Sequence, residues 1–226
     1  MLSIAAKYLV TAIKGGNAVI SKIGLCNPIE EIYQTIYNVY SDISGYHYRS
    51  AVQCIKSTQD SQNYEAKILD AISHVRDAYN VTNILINKTK KIKFLGFTIA
   101  DDEWVIDDEW KRVEIYLSIA DMSGLIAFLY NQINDTRNFE EWKNTAVKEY
   151  RFALGYHYEI RPQETAAGHP EYLREEWVDG GYIGEGVMGK TKEYRFSEKG
   201  HEYVDNLVQK EIDAIVEAIS TKKEPA

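Results

Sequence analysis

Apolar residues in this chain return every three or four positions, again and again, and that spacing restricts most of it to packed helices. Ile29, Ile32, Ile36, Val39 and Ile43 step by 3, 4, 3 and 4, with Tyr33, Tyr37 and Tyr40 as a second stripe. They predict a helix over about 28–44, opened by Asn27-Pro28 and closed at Gly45. Tyr64, Ile68, Ile72, Val75, Tyr79, Thr82 and Ile86 predict another over 61–87, its opposite face carrying Glu65, Lys67, Asp70, Arg76 and Asp77. Val204, Val208, Ile212, Ile215 and Ile219 predict a last one over 198–219. Between them, 108–134 and 139–154 are read as helices; Ala120, Ser123, Gly124 and Ala127 on the first are small enough for close helix approach. Residues 2–23 are read as helical, with a break at Gly15-Gly16, and 221–226 as a loose tail.

The expected fold is therefore mainly α, a multi-helical bundle that becomes α+β at the C-terminus. A helical bundle is placed at 1–95 and a second α-rich domain at 96–226. The boundary lies near a tandem of acids, Asp101-Asp102-Glu103-Trp104 and Asp107-Asp108-Glu109-Trp110. The tandem has no glycine to bend it into a calcium loop, so helix capping, with Asp107 as the cap, is the simpler reading. After 155–170, a polar loop, come a short helix at 171–179 and a hairpin of strands 182–187 and 190–196.

With 34 acids against 26 bases the net charge is −8, which argues against a surface built mainly to neutralise phosphates. Two cysteines are too few for a disulfide scaffold. No stretch approaches the roughly 20 apolar residues of a membrane span, and the apolar run 8–13 is too short for an export signal, so the expected location is cytoplasmic. Lys7, Lys14 and Lys22 precede the first acid, Glu30. A basic amphipathic helix there could lie on a membrane, but packing on the acidic remainder is favoured.

Gly-Tyr-His-Tyr occurs at 45–48 and again at 155–158. Glu30, Glu31, Thr35 and Tyr40 match Glu140, Glu141, Thr145 and Tyr150 at the same offset, so a duplicated two-helix unit is one explanation and chance is the other. If the duplication holds, His47 and His157 would occupy equivalent helix-terminal turns. His74, single on its helix, is read as a packed or surface residue.

Residues 184–191, GEGVMGKT, fit the phosphate-loop pattern, in which Lys190 would reach a terminal phosphate and Thr191 a magnesium ion. That loop must lead from a buried strand into a helix. Here Lys192-Glu193-Tyr194-Arg195-Phe196 continues as a strand, so a glycine-rich hairpin tip is preferred over nucleotide binding.

Gly181-Tyr182-Ile183, Tyr194-Arg195-Phe196 and Ser197-Glu198-Lys199-Gly200 together resemble the end of a winged-helix domain of the bacterial regulator type, where a short helix, a two-stranded wing and a capped helix follow one another. The likeness spans about 170–219 and implies DNA binding, with Lys190, Lys192 and Arg195 on the wing. It departs from the family at 171–179, where Glu171, Glu175, Glu176 and Asp179 face only Arg174; such a helix would repel phosphates.

His157, Glu159, Arg161, Glu164 and His169 lie within one polar segment, but no spacing matches a nucleophile elbow or a metal helix. No catalytic, cofactor or metal residue is assigned, and the balance is against an enzyme. The expected function is a non-catalytic helical interaction or adaptor protein, binding a protein partner or itself through Ile29, Ile32, Tyr33, Ile36, Tyr37 and Tyr40. The alternatives are a winged-helix nucleic-acid binder and a nucleotide binder at 184–191.

Overall fold

The computed structural model describes residues 27–57, 63–86, 93–94, 97–98, 108–182 and 188–221, and of 27–36, 93–94, 97–98, 179–182 and 188–191 the backbone only. It is mainly α with a small C-terminal hairpin. The chain divides into two units, Met1–Asp107 and Asp108–Ala226.

In the first unit, α1 (Asn27–Lys56) and α2 (Tyr64–Ile86) pack on each other. A minimal pairing of β1 (Lys93–Phe94) with β2 (Phe97–Thr98) follows. Most of the stripe on α2 is buried: Ile68, Ile72, Val75, Thr82 and Ile86 are inside and Tyr79 is half-buried, whereas Tyr64, in the first turn, is 41% exposed; Ala71 and Ala78 are fully buried beside them. The first helix runs past Gly45, where it was expected to stop. A Cβ at Gly45 would meet only the flexible guanidinium of Arg49 at 3.2 Å, so no turn is imposed there. Ala51, fully buried, extends the seam beyond it.

In the second unit, α3 (Glu109–Gln132), α4 (Thr136–Glu159) and the closing helix α6 (Glu198–Ser220) pack together, while a single helical turn, α5 (Pro162–Thr165), leads into the hairpin. The cap of α3 is Asp108, one residue later than expected; it accepts from the amides of Trp110 at 2.9 Å and Lys111 at 3.4 Å. Residues 101–107 lie outside the described residues. By length and composition α3 could cross a bilayer, but 61% of its apolar window is buried within the protein. Its small residues explain this. Ala120, Ser123, Gly124 and Ala127 are buried, and a Cβ on Gly124 would touch the Tyr150 ring at 3.5 Å and Ile219 at 3.8 Å, so α4 and α6 both close on this point.

Between α3 and α4 the chain turns at Asn134, whose φ of 59° is the left-handed conformation that asparagine tolerates. Asp135 then caps α4 by accepting from the Asn138 amide at 3.1 Å. That helix continues five residues past the expected end, through the second Gly-Tyr-His-Tyr to Glu159. Much of 155–170 is thus helical rather than loop.

Two further expectations are overturned, the short helix at 171–179 and a first hairpin strand beginning only at 182. Residues 171–179 are not a helix: a 3-10 turn at Pro170–Tyr172 leads directly into β3 (Leu173–Tyr182), antiparallel to β4 (Met188–Phe196). The segment pairs along its length with β4, from Leu173 opposite Phe196 to Tyr182 opposite Met188, and Phe196 is buried in the core. Glu175 pairs with Lys192 at 2.5 Å and Glu176 with Arg195 at 3.1 Å, partners almost twenty residues away that a local helix reading cannot see. Gly180 and Gly181 lie within the strand instead of ending a helix.

The core of this unit gathers Leu154, Ala166, Phe196, Val204, Val208 and Ile212. Ser197 caps α6 by accepting from the Gly200 amide at 3.2 Å. Gly200 is required here, because a Cβ would lie 2.1 Å from the Tyr172 carbonyl oxygen. At the other end of α6, the Asn131 side-chain amide donates to the Ser220 carbonyl at 3.0 Å, and that of Gln132 to Thr221 at 3.2 Å.

Candidate functional site

The side chains picked from the sequence as a contact face are described only in part. Those of Ile29, Ile32, Tyr33 and Ile36 lie outside the described residues. Tyr37 and Tyr40 are half-buried and already engaged within the protein.

On the hairpin, the structure ties the candidate cations to carboxylates. Lys192 is bound to Glu175, and that hydrogen bond is the first cause holding its ammonium above its ordinary range. Arg195 reaches Glu176 at 3.1 Å and Glu193 at 3.6 Å. The side chain of Lys190 lies outside the described residues, but its backbone pairs with Asp179, and that of Thr191 with Val178. Gly189, Lys190 and Thr191 are therefore strand, not the start of a helix on which a phosphate loop depends. An open groove beside them is lined by Arg161, Lys192 and Arg195, but also by Glu159, Glu164 and Glu193. Mixed signs of this kind give no sustained positive field for a phosphate chain.

A different surface stands out on α3 and α4. Tyr116 comes from α3; Phe152 and Tyr156, four apart, come from one face of α4. The Phe152 and Tyr156 rings are parallel, 6.4 Å apart and 1° from coplanar orientation. Tyr116 meets both edge-on, at 4.7 Å and 5.8 Å. This arrangement suits aromatic quadrupoles and fixes three rings as one surface. Phe152 remains 55% exposed. Partial burial pushes the hydroxyls of Tyr116 and Tyr156 up, so both stay neutral; the nearby Arg112 pulls the other way more weakly. Trp177 on β3 is another large exposed ring.

The first turn of α3 meets the end of α4 through Trp110. The Arg161 guanidinium lies over its ring at 3.6 Å, and the His157 ring contacts it edge-on at 5.8 Å. Arg161 also binds Glu164 at 2.6 Å. His157 and Arg161 therefore serve packing here, and His169 binds Glu171 at 3.2 Å. These polar residues form separate local pairs rather than one constellation.

Sequence reading missed the Tyr116–Phe152–Tyr156 surface because its three rings sit on two helices. The i, i+4 spacing of Phe152 and Tyr156 was the available signal. It also missed a convergence of His47, His74 and Asp77 between α1 and α2.

No protein-family model, curated protein or solved structure matches this chain.

Proposed function

We propose that this chain is a helical protein-interaction protein, and that the Tyr116–Phe152–Tyr156 surface is its contact face. The observation that carries this is Phe152: a phenylalanine more than half exposed, its ring edge-on to Tyr116 and parallel to Tyr156. Aromatic side chains preset in one orientation lose little entropy on binding and dominate protein interfaces. The neutral tyrosines add hydroxyls for orientation without a charge to desolvate. The ion-paired hairpin offers less to nucleic acid, since Lys192 and Arg195 would have to exchange their carboxylates for phosphates.

The test is a double substitution, Phe152→Ser with Tyr156→Ser. Phe152 is largely exposed and Tyr156 half-buried, so loss of their contacts with Tyr116 should cost no more than about 2 kcal/mol. Recovery of a co-purifying protein from the source cells, or self-association measured by light scattering, should fall at least tenfold, as expected for loss of an aromatic anchor. Wild-type and variant chains behaving alike in both measurements would end this reading.

A further inference from the structure

We propose that His47, His74 and Asp77 form a divalent transition-metal site, with zinc as the ion whose geometry they fit. This is independent of the interaction surface, which belongs to the other unit.

Imidazole Nδ1 atoms of His47 and His74 face each other at 3.4 Å, and the His47 Nδ1 lies 3.7 Å from an Asp77 carboxylate oxygen. Ligating atoms of all three residues fall within 4.8 Å of one another. A tetrahedral zinc centre with bonds of about 2.0–2.1 Å has ligand–ligand edges of about 3.3–3.4 Å. One edge of the cluster already has that length and a second is a few tenths of an ångström longer. Asp77 is 54% exposed and can move to shorten the rest.

The chemistry of the donors points the same way. Two unprotonated imidazole nitrogens pointed at each other repel unless something positive lies between them. A single shared proton satisfies one such pair. A metal ion satisfies both nitrogens and the carboxylate together, and two histidines with one carboxylate suit a borderline ion better than calcium or magnesium.

The scaffold suits the task too. His74 and Asp77 are three apart on α2 and so share a face, while His47 comes from α1. Tyr46 contacts the His47 ring edge-on at 5.5 Å, limiting its orientation. The His47 side chain is 23% exposed, sheltered but reachable by an ion from solvent. Three protein ligands leave a fourth position for water or for a group brought by a partner. An ion here would also tie α1 to α2.

The experiment is titration of the tag-free full-length chain with Co²⁺, read by the visible bands of tetrahedral cobalt, followed by displacement with Zn²⁺. One equivalent should bind. His74→Gln and Asp77→Asn should each weaken binding at least tenfold, whereas His201→Gln, on α6, should leave it unchanged. Helix content by circular dichroism checks each variant. Because Asp77 is largely exposed, Asp77→Asn decides the matter even if His74→Gln fails to fold. No tetrahedral spectrum and no zinc binding by the wild-type chain would overturn the proposal and leave a proton-sharing histidine pair. Wild-type affinity in Asp77→Asn and His74→Gln would overturn it equally.

Discussion

The same four residues, Gly-Tyr-His-Tyr, lie in α1 and in α4, and the two helices use them differently. In α1 the motif is mid-helix, not in the expected terminal turn, and His47 faces the polar cluster with His74 and Asp77. In α4 it forms the last turns, where His157 packs on Trp110 and Tyr158 donates from its hydroxyl to Glu211 of α6. The difference extends to the seams around them. The α1–α2 seam has buried alanines and polar contacts: Thr82 donates to the Ala78 carbonyl at 2.8 Å, and Ser44 lies 2.8 Å from the Thr82 hydroxyl. The α3–α4–α6 packing has polar contacts too, but Tyr158–Glu211 and Arg151–Gln209 are exposed and Asn131 sits at the end of α6, while its centre is closed by Gly124 and apolar side chains. Polar seams fix register, because a shifted hydroxyl or imidazole loses its partner, and apolar seams supply most of the stability.

This contrast can be broken most forcefully at Gly200. Gly200→Ala puts a methyl 2.1 Å from the Tyr172 carbonyl, so the turn into α6 must shift. A loss of about 3 kcal/mol or more is expected by denaturant unfolding, at the upper end for overpacking. A core truncation in the same unit, Val208→Ala, should cost about 2 kcal/mol, because the residue is 3% exposed within the main cluster. In the polar seam the effect should be smaller. Thr82→Val deprives Ser44 of a partner and should cost about 1 kcal/mol; combining it with Ser44→Ala should cost less than the sum of the two. Equal costs at Val208 and Thr82 would erase the distinction between the seams.

The smallest effect concerns alkaline pH. Burial, and then the hydrogen bond to Glu211, push the Tyr158 hydroxyl from 10.0 up to about 12. A raised folded value means its contribution is intact below pH 10 and is lost as pH rises towards 12, because the unfolded chain releases the proton first. The melting temperature of the wild-type chain should therefore fall more steeply across that window than that of Tyr158→Phe.

How much was legible follows from where the information lies. The stripes on α2 and α6 could be read because helical burial repeats within one segment, and Ile68, Ile72, Val204 and Val208 are buried as their spacing requires. Ala120, Ser123, Gly124 and Ala127 announced close helix approach for the same local reason. The strand at 173–182 was misread because its pairing partner, β4, lies on the far side of the hairpin. His47 and His74 are 27 residues apart and no motif joins them; only the packing of α1 on α2 does. Phe152 and Tyr156 were not seen as a pair, because the helix was read as ending at 154, and Tyr116, which joins them, comes from another helix.

The central claim, that the Phe152 face is covered by protein, is tested most directly by site-specific photo-crosslinking in the source cells. A photoreactive phenylalanine analogue is placed at position 152 and, separately, at exposed Glu202 on α6. The account predicts an adduct of discrete mass from position 152 and none of that mass from position 202. No adduct from 152, or the same adduct from both positions, would contradict it.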